Sequence, residues 1–146
     1  MGDPLPKDGR SRMNPRLALP ARRNHLTQKV RITGQRTLYI SVHHDPQPKE
    51  LFLRVKGLDG TSKTVSLYDV LACLMSVALQ YGAPLEKLGD LLASAKFVPC
   101  GPVVGHERIK HCSSLPDLIG WHLLVEYGGR TELAHVAAAV TIDHDA

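Results

Sequence analysis

The stretch QKVRITGQRTLYISVHH, residues 28 to 44, sets the fold of this chain. In its first half Val30 and Ile32 alternate with Lys29, Arg31 and Thr33. After Gly34 and Gln35, Leu38, Ile40 and Val42 alternate with Thr37, Tyr39 and Ser41. A period of two sends successive side chains to opposite faces, so the two halves read as a hairpin with one buried face. DPQPKE (45–50) is a turn-rich connector. ELFLRVKG (50–57) then supplies a third strand, with Leu51, Leu53 and Val55 on one face. An open edge on that strand leaves a homo-oligomer in view.

Past the loop LDGTSKT (58–64) the period changes to that of a helix. Ser66 reads as the N-cap, with Asp69 three residues on. Leu67, Val70, Leu71, Leu74, Ala78 and Tyr81 recur at spacings of three and four and read as the buried stripe. Cys73 lies beside that stripe and reads as a small core residue. Gly82 stops the helix. A shorter helix opens at Pro84 with Leu85, Leu88, Leu91 and Leu92. A third starts at Ser114, with Pro116 in its first turn, Asp117 completing Ser-x-x-Asp, and Trp121 reading as core. It ends at Gly128 and Gly129, and TELAHVAAAV (131–140) supplies a last helical segment. The expected class is α+β: a small antiparallel sheet of about three strands, followed by about four helices packed on one face. His43 and His44, at a strand end, read as solvated.

The chain has 146 residues and a net charge of +4, but the charge is uneven. Residues 1–36 carry nine Lys/Arg against Asp3 and Asp8, a net +7, which leaves −3 for the rest. Residues 1–24 lack apolar periodicity and read as a basic, disordered arm, with the domain at 25–140 and a tail at 141–146. Such an arm suits nucleic acid, through residues 7–36, or serves only as a solubilising tail. No apolar run reaches the ~20 residues that a membrane span needs, and the N-terminus has no signal-peptide core. Three cysteines without a CxxC pair suit a reducing, cytoplasmic setting.

The densest chemistry lies in FVPCGPVVGHERIKHCSSLPDLI, residues 97–119. One reading is an anion or nucleotide site. Gly101 and Gly105 allow close backbone approach, His106, Arg108 and Lys110 bring donors, and Ser113 and Ser114 open a helix with unpaired N–H groups. A second is a metal site from Cys100, His106, His111 and Cys112, whose spacing lacks the usual ligand pairs. A third is a nucleophilic Cys100 or Cys112, the latter beside a helix N-terminus that can acidify a thiol. The plain alternative to all three is a structural loop.

Five segments in order carry a resemblance: TQKVRI (27–32), LQYGAPLEKL (79–88), FVPCGPVVGHERIK (97–110), SSLPDLI (113–119) and EYGGRTELAHV (126–136). Together they resemble the TSCPD domain at the C-terminal end of cobalamin-dependent, class II ribonucleotide reductases. The motif Thr-Ser-Cys-Pro-Asp reads here Ser113-Ser114-Leu115-Pro116-Asp117, so its Thr is Ser113 and its Cys is Leu115. His135 also matches the family pattern and reads as a packing or capping residue. The resemblance implies a link to ribonucleoside-diphosphate reduction and so to deoxyribonucleotide supply for DNA synthesis. The radical barrel and redox cysteine pair of those enzymes do not fit in 146 residues. The expectation is therefore a free-standing accessory or nucleotide-binding module. It would have no catalytic or metal-ligating residues of its own, and would meet cobalamin only through a partner reductase chain.

Overall fold

A computed structural model describes residues 15–32, 36–57, 62–97 and 100–135. The alternating stretch forms β1 (Leu26–Ile32) and β2 (Arg36–His44), paired antiparallel from Leu26↔Val42 to Arg31↔Thr37. β3 (Pro48–Gly57) pairs antiparallel with the other side of β2, across a register shift at His43/His44 and a turn with a cis Asp45–Pro46 bond. The sheet then continues beyond the three expected strands. β4 (Gly101–Val104) adds to β1 and β5 (His111–Cys112) adds to β4, giving the order β3-β2-β1-β4-β5.

Among the described residues three α-helices accompany the sheet: α1 (Ser62–Gln80), α2 (Leu85–Ala93) and α3 (Leu115–Glu126). The α+β class holds, with five strands in place of about three. In the described part of the expected fourth helix, the chain makes a single 3-10 turn at Thr131–Leu133 followed by extended backbone at Ala134. Residues 136–140 of that segment, the tail at 141–146 and residues 1–14 of the expected arm lie outside the described residues.

The inward side chains of the sheet, from Val30 to Val55, are buried and pack with Leu115, Leu118, Ile119 and Leu123 of α3. α3 is apolar nearly all round because it has neighbours all round, the sheet on one side and α2 on another. Glycines set the α2–α3 approach. A Cβ on Gly120 would lie 2.7 Å from the carbonyl oxygen of Gly89, and one on Gly89 would lie 2.6 Å from Leu124.

α1 departs from expectation twice. It begins at Ser62, so Ser66 is a turn inside the helix and is not its N-cap. The inward side is also the other one: Tyr68, Ala72, Met75 and Leu79 are buried, while Leu67, Val70 and Leu74 are 69%, 54% and 64% exposed. Cys73, expected in the core, is exposed. The buried side carries Ser76 and Gln80, which serve the outer edge of β3. The Ser76 hydroxyl accepts from the N–H of Leu51 (2.8 Å) and donates to its carbonyl (3.1 Å), and Gln80 Nε2 donates to the carbonyl of Lys49. The edge read as open for strand pairing is thus occupied at these positions.

Part of the expected arm is bonded to the rest of the fold. Leu17 N–H donates to the carbonyl of Gln80, and Arg16 donates to its side chain. Arg23 makes a two-pronged contact with Glu50 (2.7 Å on each arm), and His25 Nε2 lies 2.8 Å from the same carboxylate. Hydrogen bonds from Arg23 hold the Glu50 carboxyl below its ordinary range. His43, expected to be solvated, is buried beside this cluster with Nδ1 2.7 Å from the carbonyl of Asn24; His44 is exposed, as expected.

Candidate functional site

The loop between β4 and α3 is shaped by its glycines and closed by its own polar groups. Gly105 has φ +99°, and a Cβ there would stand 2.9 Å from the carbonyl oxygen of Lys29. Only glycine fits both the backbone and the approach to β1. Gln28 Nε2 then donates to the Gly105 carbonyl, and Val103 N–H donates to the Lys110 carbonyl, closing residues 104–109 into a compact turn.

His106 fills that turn. Its ring is buried, and its Nδ1 accepts from the backbone N–H of both Arg108 (3.0 Å) and Ile109 (3.1 Å). A nitrogen that accepts cannot carry the proton, so the proton sits on Nε2. Nε2 lies 3.0 Å from Nδ1 of His122, a buried residue of α3, and donates to it. Burial lowers the pKa of His106 to about 4, and adjacent Lys110 and Arg108 add to the effect. Burial and the neighbouring His106 lower His122 to about 3. Both rings are neutral at pH 7.

Glu126, one turn beyond His122, brings an oxygen within 3.8 Å of His106 Nε2. Among the described residues these three are the only group of His, Cys, Asp or Glu with ligand atoms clustered within 4.8 Å. The alternative set weighed from the sequence, Cys100, His106, His111 and Cys112, is not brought together in this way. A metal-bound histidine ordinarily donates through its other nitrogen. Here that nitrogen accepts two backbone N–H groups, so Nε2 has no lone pair to offer. The residues do not fit a metal ion.

The start of α3 is equally self-contained. Ser114 Oγ accepts from the N–H of Asp117 (2.9 Å) and donates to the carbonyl of Ala95 (2.9 Å). Asp117 returns the bond, with Oδ2 accepting from Ser113 N–H (2.8 Å) and Oδ1 from Trp121 Nε1–H (2.9 Å). This is a capping box moved back by one residue. The Asp117 carboxylate takes the place at the helix N-terminus that an external anion would occupy. Leu115, at the position of the motif's cysteine, is fully buried.

The seven candidate anion-site residues are thus placed as follows. Gly101 begins β4 at φ +137°, and Gly105 presses on β1. The His106 ring, the Ser114 hydroxyl and the Ser113 N–H have protein partners, and Lys110 Nζ donates to the His106 carbonyl (2.6 Å). Arg108 stands at the rim with Nε 4.0 Å from Glu126. His135 closes the back of the loop: its N–H donates to the Arg108 carbonyl, its Nδ1 accepts from Lys110 N–H, and its ring stacks on His111 at 3.8 Å. Cys112 is buried, which pushes its thiol up to about 11, opposite to the activation expected from a helix N-terminus. His122 went unnoticed in the sequence. Its only signal is a lone histidine four residues before Glu126 inside an apolar helix.

The TSCPD domain family model matches residues 12–127. The chain belongs to the TSCPD domain family. Relatives of this TSCPD domain include the vitamin B12-dependent ribonucleotide reductase of Bradyrhizobium diazoefficiens, 33% identical over 125 residues that cover 85% of this chain and 10% of the relative. The enzyme of the same name from Agrobacterium fabrum is 34% identical over 119 residues, 81% of this chain and 9% of the relative. That of Rhodopirellula baltica is 30% identical over 102 residues, 69% and 10%. The chain therefore spans about a tenth of the length of these relatives. No solved structure matches it. The TSCPD motif now has a physical reading: a hydroxyl cap, a core residue, a first-turn proline and a carboxylate that closes the helix start.

Proposed function

We propose that this TSCPD domain is an accessory module of ribonucleotide reduction that docks on a reductase catalytic polypeptide through the outer side of α1. The observation that carries the reading is the exposure of Leu67, Val70 and Leu74 on consecutive turns of one helix. Large side chains left in water at helical spacing favour a protein surface that covers them. The family supplies the partner, since the named relatives carry this segment as about a tenth of a reductase chain. The loop at 105–114 is then a rigid support and not a reaction centre, because its buried His106 is neutral and bonded to His122 and its buried thiol is held protonated. Cobalamin and the reducing chemistry belong, in this reading, to the partner.

The test is size-exclusion chromatography and calorimetry with a vitamin B12-dependent reductase chain lacking its own TSCPD segment. A complex with micromolar or tighter affinity is expected, weakened at least tenfold by Leu67→Asp with Leu74→Asp. No complex at tens of micromolar, or equal binding by the double variant, refutes the reading.

A further inference from the structure

The helices cover one face of the sheet. Among the described residues no helix or strand covers the other; Arg23 and His25 cap its end over Glu50, with the His25 ring 5.1 Å from Phe52, and the composition of the rest is specific. Strand register sets its outward side chains in rows of three. The first row is Thr27, Ser41 and Phe52. The second is Lys29, Tyr39 and Arg54. The third is Arg31, Thr37 and Lys56. These nine positions hold four cations, two aromatic rings, three hydroxyl side chains and no carboxylate.

Each component has a structural detail that a merely solvated face does not require. Phe52 is 52% exposed, the costliest kind of side chain to leave in water. It sits diagonally from Tyr39 across β2 and β3, and the two rings flank a shallow depression of about 290 Å³. Thr27, Ser41 and Arg54 also line this depression, with the two hydroxyls 2.7 Å apart. The amines of Lys29 and Lys56 lie 5.8 and 5.7 Å from the centre of the Tyr39 ring, one from each side. Among the described residues none of the four cations has a carboxylate partner. The one carboxylate in the next row, Glu50, is taken up by Arg23 and His25, and Glu86, Asp90 and Glu126 stand on the helices. The positive charge once read as an N-terminal arm thus continues onto the sheet through Lys29 and Arg31.

We propose that this face is a platform for single-stranded nucleic acid. Bases would stack on Tyr39 and Phe52, one edge would meet the hydroxyls and Arg54, and Lys29, Arg31 and Lys56 would take the phosphates. Single strands are favoured over duplex because stacking on a flat sheet needs bases that are unpaired and turned outward. The proposal stands independently of α1 docking, since its residues lie on the opposite side of the sheet.

The experiment is fluorescence anisotropy of the full chain with labelled 20-mers of oligothymidylate and oligouridylate, and with a duplex of equal length, at several salt concentrations. Binding of either single strand in preference to duplex is expected. The plot of log affinity against log salt should have a slope of about −2, from roughly 0.7 per neutralised phosphate and the three cations that take phosphates. Tyr39→Ala with Phe52→Ala should weaken binding tenfold or more, and Lys29→Glu with Arg54→Glu should abolish it. Circular dichroism and thermal melting confirm that both variants fold. If they do not, the single changes Tyr39→Leu and Arg54→Gln read the same losses. Duplex bound as well as single strand, no binding at 50 mM salt, or binding lost on deleting residues 1–14 yet kept in the aromatic variant overturns the proposal.

Discussion

His106 donates its Nε2 proton to Nδ1 of His122 at 3.0 Å, inside the core and behind a loop that holds the other nitrogen of His106 with two backbone N–H groups. The pair is stable only while both rings are neutral. Their folded pKa values, about 4 and about 3, lie below the ordinary 6.5, so the unfolded chain takes up protons that the folded chain refuses. The stabilisation is complete above pH 6.5 and is lost as pH falls from there toward 4. At pH 5 the loss should be about 2 kcal/mol per ring. Urea unfolding at pH 7 and pH 5 measures it. His122→Asn keeps an acceptor for His106 and should remove about half of the pH dependence. A stability unchanged between the two pH values would falsify the proton placement.

The same proton answers the question of a metal. With Nε2 protonated, His106, His122 and Glu126 present too few lone pairs to hold Zn²⁺. Adding a molar equivalent of Zn²⁺ to chelator-treated protein should leave its melting temperature unchanged. A rise of several degrees that disappears in Glu126→Gln would mean that the rings reorient around an ion.

The cap of α3 makes a prediction about the family motif. Ser114 is fully buried, and its hydroxyl serves two backbone groups at once. Ser114→Ala should cost about 2 kcal/mol, the upper part of the range for a helix cap, because the Ala95 carbonyl also loses its donor. Ser113 contributes its N–H to the cap. Ser113→Thr, which restores the motif's first residue, should therefore be close to neutral. Chemical denaturation of the two variants separates these roles.

Much of this was legible in the residues, and the exceptions have physical causes. β1 to β3 stand out because each alternates over seven to ten residues. β4 and β5 have four and two residues, too few for any period, and exist because Gly105 lets the chain close on β1. α1 is apolar on two sides, so spacing alone could not say which faces the sheet. Ser76 and Gln80 could have, because polar side chains among apolar ones suit a helix lying against an exposed strand edge. Ser114 and Asp117 were readable as a cap, since capping is local. The His106–His122 pair joins residues 16 apart, and nothing local links a loop histidine to a helical one.

The contact between α2 and α3 gives the last prediction. Replacing glycine by alanine inside a helix ordinarily gains about 1 kcal/mol. At Gly120 the new methyl would meet the Gly89 carbonyl oxygen at 2.7 Å, the Ala93 nitrogen at 2.8 Å and Leu92 Cβ at 2.9 Å. Two of these are backbone atoms of α2, which cannot swing aside as a side-chain tip can. α2 must move as a body, drawing Leu85, Leu88 and Leu92 away from the core they pack against. The overpacking should outweigh the propensity gain and leave Gly120→Ala destabilised by about 1–3 kcal/mol. Gly89→Ala meets Leu124 side-chain atoms at 2.6 Å instead, and a leucine can change rotamer, so its loss should be the smaller. Denaturant midpoints of the two variants rank them. A Gly120→Ala protein as stable as the parent would show that α2 rides loosely on α3, and the three-layer packing that holds the loop would have to be redrawn.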